Sequence, residues 1–426
     1  MNAKLAGLLS LALALVLGAC APAAVPAGDL GLARAEVPRA SADPAAAILA
    51  GAALDAFGLD LYRAVSARQT NLVFSPASIT LALAMARAGA RGQTAVEMDT
   101  VMRAIASDDH ASWLNALDQA LANRTGTFKD ESGTDLPVTL RIANAPFAQQ
   151  GMPLEQRYLE ALAARFGGGV RLVDYRMQAE RARLLINGWV DAQTEHRIPQ
   201  LLEAGVLTPA TRLALVDAIY LKAPWQTPFS ADATRTGAFT RADGSTVQVP
   251  FMAANDSLRH ASGPAWDAVD IPYIGNSLAM TVIVPKDLAA FERTLSAASW
   301  AAIVDALAPA PVALALPKFG IETKTDLAPI LASLGMPSAF DDRADFTGIT
   351  TSERLQVSNV IHQANIDVDE KGTEAAAATA VVMRATGMPA EPVVLRADRP
   401  FLFAVRDVPT GAILFLGRVR DPSIGR

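Results

Sequence analysis

The sequence predicts an α+β fold in one large domain. Three observations carry this: helical apolar spacing concentrates in the first half of the chain, strand-like runs concentrate in the second, and no long polar linker divides them. The 426 residues are 51% hydrophobic, enough to fill a large core. Length alone would permit two or three domains, yet apolar strand patterns recur from about residue 138 to 419, so continuity is the better reading.

Taken in order, Leu54, Phe57, Leu61 and Val65 recur at helical spacing between Pro44 and Arg68 and predict an amphipathic helix. A second helix starts more sharply. Ser75 is its N-cap, Pro76 takes the first helical position where a missing N–H costs nothing, and Phe74 stands placed to staple onto Ile79. Gly89 and Gly92 mark its end. Residues 123–135, polar and containing Gly126 and Gly133, are expected to form an exposed loop. Alternation through Val138, Leu140, Ile142 and Asn144 predicts a strand, and residues 184–190 a helix. Further strands are expected at 213–222, 278–284, 312–319 and 355–368, with a closing hairpin of 401–406 and 412–419 around the Pro409 and Gly411 turn.

The N-terminus is of a different kind. Lys4 precedes an apolar run from Leu8 to Leu17, and Gly18-Ala19 then lead to Cys20, the one cysteine in the chain. This resembles a bacterial lipoprotein signal, which implies cleavage after residue 19 and a lipid on the Cys20 sulfur. The run is too short for a membrane span, which needs about 20 residues. Residues 20–44, Ala/Pro-rich and interrupted by Pro22, Pro26, Pro38 and Pro44, are expected to be a flexible tether. The folded domain would then be 45–426, in the cell envelope and by preference on the outer membrane, with a secreted or periplasmic protein as the alternative.

Charge and motifs exclude several function classes. A formal net charge of −6 with no cationic block leaves nothing to displace phosphate counterions, so nucleic acid is not an expected partner. Four histidines, His110, His196, His260 and His362, accompany neither a Gly-x-Ser-x-Gly elbow nor a His-Glu-x-x-His motif, so a hydrolase is not expected. No motif calls for a metal, nucleotide or flavin, and none is expected as cofactor.

The segment after the 355–368 strand is unusual. Glu370-Lys371-Gly372-Thr373-Glu374 runs into Ala375-Ala376-Ala377-Ala378-Thr379-Ala380, then Val381, Val382, Met383 and Arg384. Alone, it could equally be an Ala-rich helix. Its flanks decide otherwise. Residues 357–368 before it, with Arg399-Pro400-Phe401 and Phe415-Leu416-Gly417-Arg418 after it, resemble the reactive-loop region of the serpin family. So do Asn71–Ile79, Ile186-Asn187-Gly188-Trp189-Val190, Ala218–Lys222 with Trp225, Asp270-Ile271-Pro272-Tyr273, Pro317-Lys318-Phe319 and Ala344–Ile349, in the right order over most of 45–422.

The resemblance implies a serpin fold of about three β-sheets and eight or nine helices, monomeric, with an exposed reactive-centre loop at about 370–395. It implies no enzyme but an inhibitor of serine proteases, with cysteine proteases as an alternative, which is cleaved once and traps the protease as its loop enters the main sheet. In the hinge, Gly372 supplies the turn; Thr373, Ala375, Ala377 and Thr379 would face inward, whereas Glu374 would face outward. The reactive residue falls sixteen positions after Glu370, giving the bond Thr386–Gly387, which suits an elastase-like or subtilisin-like enzyme. Arg384 would suit a trypsin-like one, and Met383 and Met388 are further alternatives. Glu370 is expected to pair with Lys318 near Trp225, where insertion begins. A gating cluster maps onto Ser75, Ser78, Asp217 and His362; Asp217 departs from the family's asparagine and could charge-pair with a protonated His362. A non-inhibitory serpin acting as a binding protein is the alternative function.

Overall fold

The computed structural model describes residues 30–66, 71–104, 107–374 and 391–425. The helices among them are α1 Pro44–Ser66, α2 Pro76–Arg87, α3 Gly92–Val101, α4 Ser107–Ala122, α5 Gln156–Phe166, α6 Tyr175–Gln193, α7 Leu288–Thr294, α8 Ala297–Ala306 and α9 Ala328–Leu334. The strands begin with β1 Gly31–Ala33, β2 Leu72–Phe74, β3 Gly126–Lys129, β4 Asp135–Gln149, β5 Val170–Val173 and β6 Leu213–Pro224. They continue with β7 Arg235–Thr240, β8 Thr246–Gly263, β9 Trp266–Pro272, β10 Leu278–Pro285, β11 Ala308–Pro317 and β12 Phe319–Asp326. The last are β13 Val360–Asp369, β14 Gly372–Thr373, β15 Val393–Arg396, β16 Phe401–Asp407 and β17 Ile413–Val419.

The main sheet has the order β1-β5-β4-β6-β14-β13-β12, with β3 on β4; the second runs β15-β11-β8-β9-β10-β16-β17-β2, with β7 on β8. Strand β8 gives its first part to β7 and its last to β9, so it joins into one surface what would otherwise be two sheets. The main sheet is buried on both faces. Along β6, Leu213, Leu215, Ile219 and Leu221 join the principal core, while Ala214, Val216 and Ala218 pack with Ile186, Trp189 and Val190 of α6 on the other side. This period of two is why the strand reads as an unbroken apolar run.

Helix α1 is apolar enough to cross a bilayer by composition, yet Leu54, Phe57, Leu61 and Val65 are buried in the principal core, as their spacing predicts for a core helix. Ser75 caps α2 by accepting from the Ser78 N–H at 3.0 Å, with Pro76 following it.

Four segments differ from the sequence reading. Residues 123–135 are not simply a loop: β3 pairs with β4 from Gly126↔Val138 to Lys129↔Asp135, a hairpin whose polar alternation hid it. The strand expected at 355–368 begins at Val360, and the one expected at 312–319 breaks at Lys318, whose N–H turns to Pro250 O. The expected tether is folded from residue 30 onward. β1 pairs with β5, and Arg39 donates to Asn115 Oδ1 at 2.9 Å and pairs with Asp118 at 2.5 Å. Such anchoring by single long-range contacts leaves no periodicity to read.

Burial raises the Asp118 carboxyl and Arg39 offsets this only in part. Arg39→Ala should therefore cost about 1 kcal/mol, because the Asp118 side chain keeps about a quarter of its surface exposed and Gln119 still donates to Asn115 Oδ1. A lowered thermal midpoint at fixed scan rate is expected; an unchanged one would show that residues 30–43 do not brace the domain.

Candidate functional site: the hinge and the parted strands

Strands β6 and β13 are parallel partners over only four register pairs, from Val360↔Leu215 to Gln363↔Ala218. Beyond these they part. At the far end β14 fills the space, antiparallel to both, with Gly372↔Pro224 and Thr373↔Ala223 on one side and Val368↔Thr373 and Asp369↔Gly372 on the other. Residues 219–222 and 364–367 thus flank a stretch where, among the described residues, neither strand pairs with the other.

The mouth of this slot is built around Trp225. Its ring is fully buried and stacks on Tyr273 at 4.5 Å between centroids, its Nε1–H donates to Asp369 O at 2.9 Å, and its backbone N–H donates to Lys371 O at 2.9 Å. Lys318 Nζ lies 2.7 Å from Glu370 Oε2, and Thr234 Oγ1 donates to Glu370 Oε1 at 2.8 Å. Burial alone would raise the Glu370 carboxyl, but these hydrogen bonds more than compensate and leave it below its ordinary range. The chain is thereby clamped just before the hinge.

Gly372 has φ +153, and a Cβ there would meet Ala223 O at 2.2 Å, so only glycine lets the strand pass this close to β6. Thr373 faces inward: it is 1% exposed and its hydroxyl lies 2.6 Å from the Tyr273 hydroxyl. Glu374 points to the opposite face, as expected, yet does not reach solvent. Its side chain is 5% exposed, ion-paired at 3.0 Å with Arg197, which also pairs with Asp367 at 3.0 Å, and its backbone N–H donates to Asp367 O. Arg197 follows α6, which covers that face; a sequence pattern of alternation could not place it there.

At the closed end, Asp217 and His362 are register partners and their side chains are buried against each other, Nδ1 to Oδ1. The Ser75 N–H donates to His362 Nε2 at 3.0 Å. That nitrogen must therefore carry a lone pair, so the ring is neutral with its proton on Nδ1, and the charge pair with a protonated imidazole does not form. Ser78 Oγ donates to Asn144 Oδ1 at 2.9 Å, and Asn144 Nδ2 returns a bond to Ser78 O. The four predicted residues thus meet. Asn144, Tyr273, Thr234 and Arg197 belong with these groups but were not singled out for a role; Asn144, in the middle of an apolar alternation, was the one legible signal.

Cys20, Ala375, Ala376, Ala377, Ala378, Thr379, Met383, Arg384, Thr386, Gly387 and Met388 lie outside the described residues.

The molecule is one in which a strand-forming hinge is docked at the top of an incompletely closed central sheet. Comparison with known proteins specifies it further. The family model described as serpin (serine protease inhibitor) matches residues 52–422. An uncharacterized serpin-like protein of Thermococcus kodakarensis is 38% identical over 88% of this chain and 86% of its own, and the leukocyte elastase inhibitor of Sus scrofa 34% over 86% and 97%. The crystal structure of the thermophilic serpin tengpin in the native state superposes with a TM-score of 0.78 at 26% identity, covering 91% of this chain and 97% of that one. The chain belongs to the serpin family.

The docked hinge carries a buried carboxyl, and burial pushes Glu374 upward despite Arg197. An exposed hinge would have the ordinary value, so docking gains stability that is full below the ordinary glutamate range and is lost as pH rises through the raised one. Hydrogen-exchange protection at the Thr373 and Glu374 amides should rise as pH falls from 8 toward 4.5, and Glu374→Gln should flatten the dependence. Protection that falls on acidification would contradict this.

Proposed function

We propose that this serpin inhibits serine proteases as a single-use substrate, with elastase-like or subtilisin-like enzymes as targets and Thr386–Gly387 as the reactive bond. The observation that carries the reading is the register of β14. The hinge already enters between β6 and β13 antiparallel to both, with Thr373 turned inward, and the residues that follow it in sequence, Ala375-Ala376-Ala377-Ala378-Thr379, are small enough to continue along the same path.

In this mechanism the protease serine attacks the Thr386 carbonyl, the C–N bond to Gly387 breaks, the amine leaves with a proton from the protease, and an acyl-enzyme ester remains. The loop from residue 375 onward then adds hydrogen bonds along the facing edges of 219–222 and 364–366, at about 1 kcal/mol net for each. The ester moves with the loop before water completes hydrolysis. To let the strand pass, the four pairs that hold β6 to β13 must open, and the Asp217–His362 contact with them. A binding-protein role is disfavoured by the small residues that follow the hinge.

Mixing the protein with elastase-like, subtilisin-like and trypsin-like enzymes should give a complex that survives boiling in detergent, with a released carboxy-terminal peptide beginning at Gly387. A complex formed only with a trypsin-like enzyme, releasing a peptide that begins at Ala385, would move the reactive residue to Arg384. Cleavage without any complex would refute inhibition. Thr373→Arg should leave cleavage intact but raise the number of inhibitor molecules consumed per enzyme inactivated, because burying an unpaired guanidinium costs several kcal/mol.

Attachment to a bilayer through a lipid on Cys20 is proposed from the residues before it, with the outer membrane as destination; the inserted chains would anchor at about 0.8 kcal/mol per buried methylene. Cys20→Ala should shift the protein from the membrane fraction to the soluble one. Unchanged fractionation would remove the lipid from the account.

A further inference from the structure

A cleft of about 450 Å³ opens between the C-terminal end of α2, helix α3, the start of α4 and one face of α5. It uses none of the groups described above. Arg157, Ala161 and Arg165 recur every four residues along α5 and so share the face that lines it. Arg87 and Arg91 line it from the end of α2. Among the described residues that line it there is one carboxylate, Asp99, and it is taken up by two hydrogen bonds from Arg87 at 2.7 and 2.6 Å. Arg91 donates only to the backbone oxygens of Ala88 and Ala90, and Arg157 and Arg165 have no ion pair among the described residues. Among the described residues the wall therefore carries more guanidinium than carboxylate.

His110 of α4 adds a second and independent observation. It lines the same cleft and is 3% exposed, yet neither ring nitrogen has a hydrogen-bond partner among the described residues. Trp113 packs against its ring edge-on at 6.4 Å, which offers no acceptor. Burial lowers the His110 pKa, with Arg87 acting in the same direction and Asp99 opposing. A neutral imidazole with a free donor, next to guanidinium groups with unclaimed donors, is a set of hydrogen-bonding groups waiting for an acceptor. The remaining walls, including Ala84, Ala95, Met102 and Phe166, are apolar.

We infer that this cleft binds a small amphiphilic anion, its oxyanion head held by Arg157, Arg165, Arg91 and His110 and its short apolar body lying on Met102 and Phe166. Guanidinium forks match the geometry of a phosphate, sulfate or carboxylate head, and an anion in this position would favour the charged form of His110. The apolar walls distinguish such a ligand from a bare inorganic ion.

The test is titration of the full chain with hexyl phosphate and, separately, with inorganic phosphate, followed by calorimetry and by the His110 Cε1–H resonance. Hexyl phosphate should bind saturably at one site and raise the His110 pKa by about one unit, a tenfold shift in its protonation equilibrium. The double variant Arg157→Gln/Arg165→Gln should weaken binding by about tenfold or more with an unchanged thermal midpoint, and His110→Gln should reduce it while leaving the arginines in place. Absence of a saturable His110 shift, or undiminished affinity in the double variant, would overturn the site. Equal affinity for inorganic phosphate would overturn the amphiphilic ligand.

Discussion

The structure depends on one unfinished pairing, the partial separation of β6 from β13. Backbone N–H and C=O groups along a central strand need partners, and a sheet ordinarily supplies them on both sides. Among the described residues β6 has β4 on one side from Leu213 to Lys222, but on the other it has β13 for four residue pairs and β14 for two. The intervening edges are where a further strand would gain most. Everything else in the main sheet, including the close packing of α6 over one face and the principal core under the other, holds these edges apart and in register.

The two ends of the gap are secured by different chemistry. At the open end the chain is clamped by charge-assisted contacts whose basic partners touch solvent, Lys318 with Glu370 and Arg197 with the buried Glu374 and with Asp367, around the buried Trp225–Tyr273 stack. The Lys318–Glu370 contact, partly exposed on both sides, can be exchanged for water at modest cost. At the closed end the contacts are fully buried, and the neutral His362 ring is spoken for on both nitrogens, by Ser75 N–H and by Asp217. The second Asp217 oxygen has no partner among the described residues. An asparagine would place an amide donor there; the carboxyl leaves an acceptor unsatisfied, which makes the closed end less settled than its depth suggests.

Much of this was legible in the residues themselves. Unbroken apolar runs identified β6 and β10, helical spacing identified α1, and Ser75-Pro76 identified the start of α2, because each signal is local to one element. The hinge glycine and the inward Thr373 could be placed from the motif they belong to. What escaped was non-local. The β3–β4 hairpin is polar on its exposed positions, Arg39 anchors a Pro-rich segment by a contact spanning 79 residues in sequence, and Arg197 meets Glu374 only because α6 lies across the sheet.

The sequence by itself showed the resemblance to the family, the place of several helices and strands, and seven residues at the two ends of the central sheet: Trp225, Lys318 and Glu370 at the mouth and Ser75, Ser78, Asp217 and His362 at the closed end. The elements were legible because caps and apolar patterning are written along the chain, and the family and its site residues because their motifs resemble those of serpins. The tertiary structure alone decided that β14 is already docked, that Glu374 is buried rather than free, and which nitrogen of His362 holds the proton. Each of these depends on a partner brought from far along the chain, and hydrogen bonds and burial are properties of the pair, not of either residue.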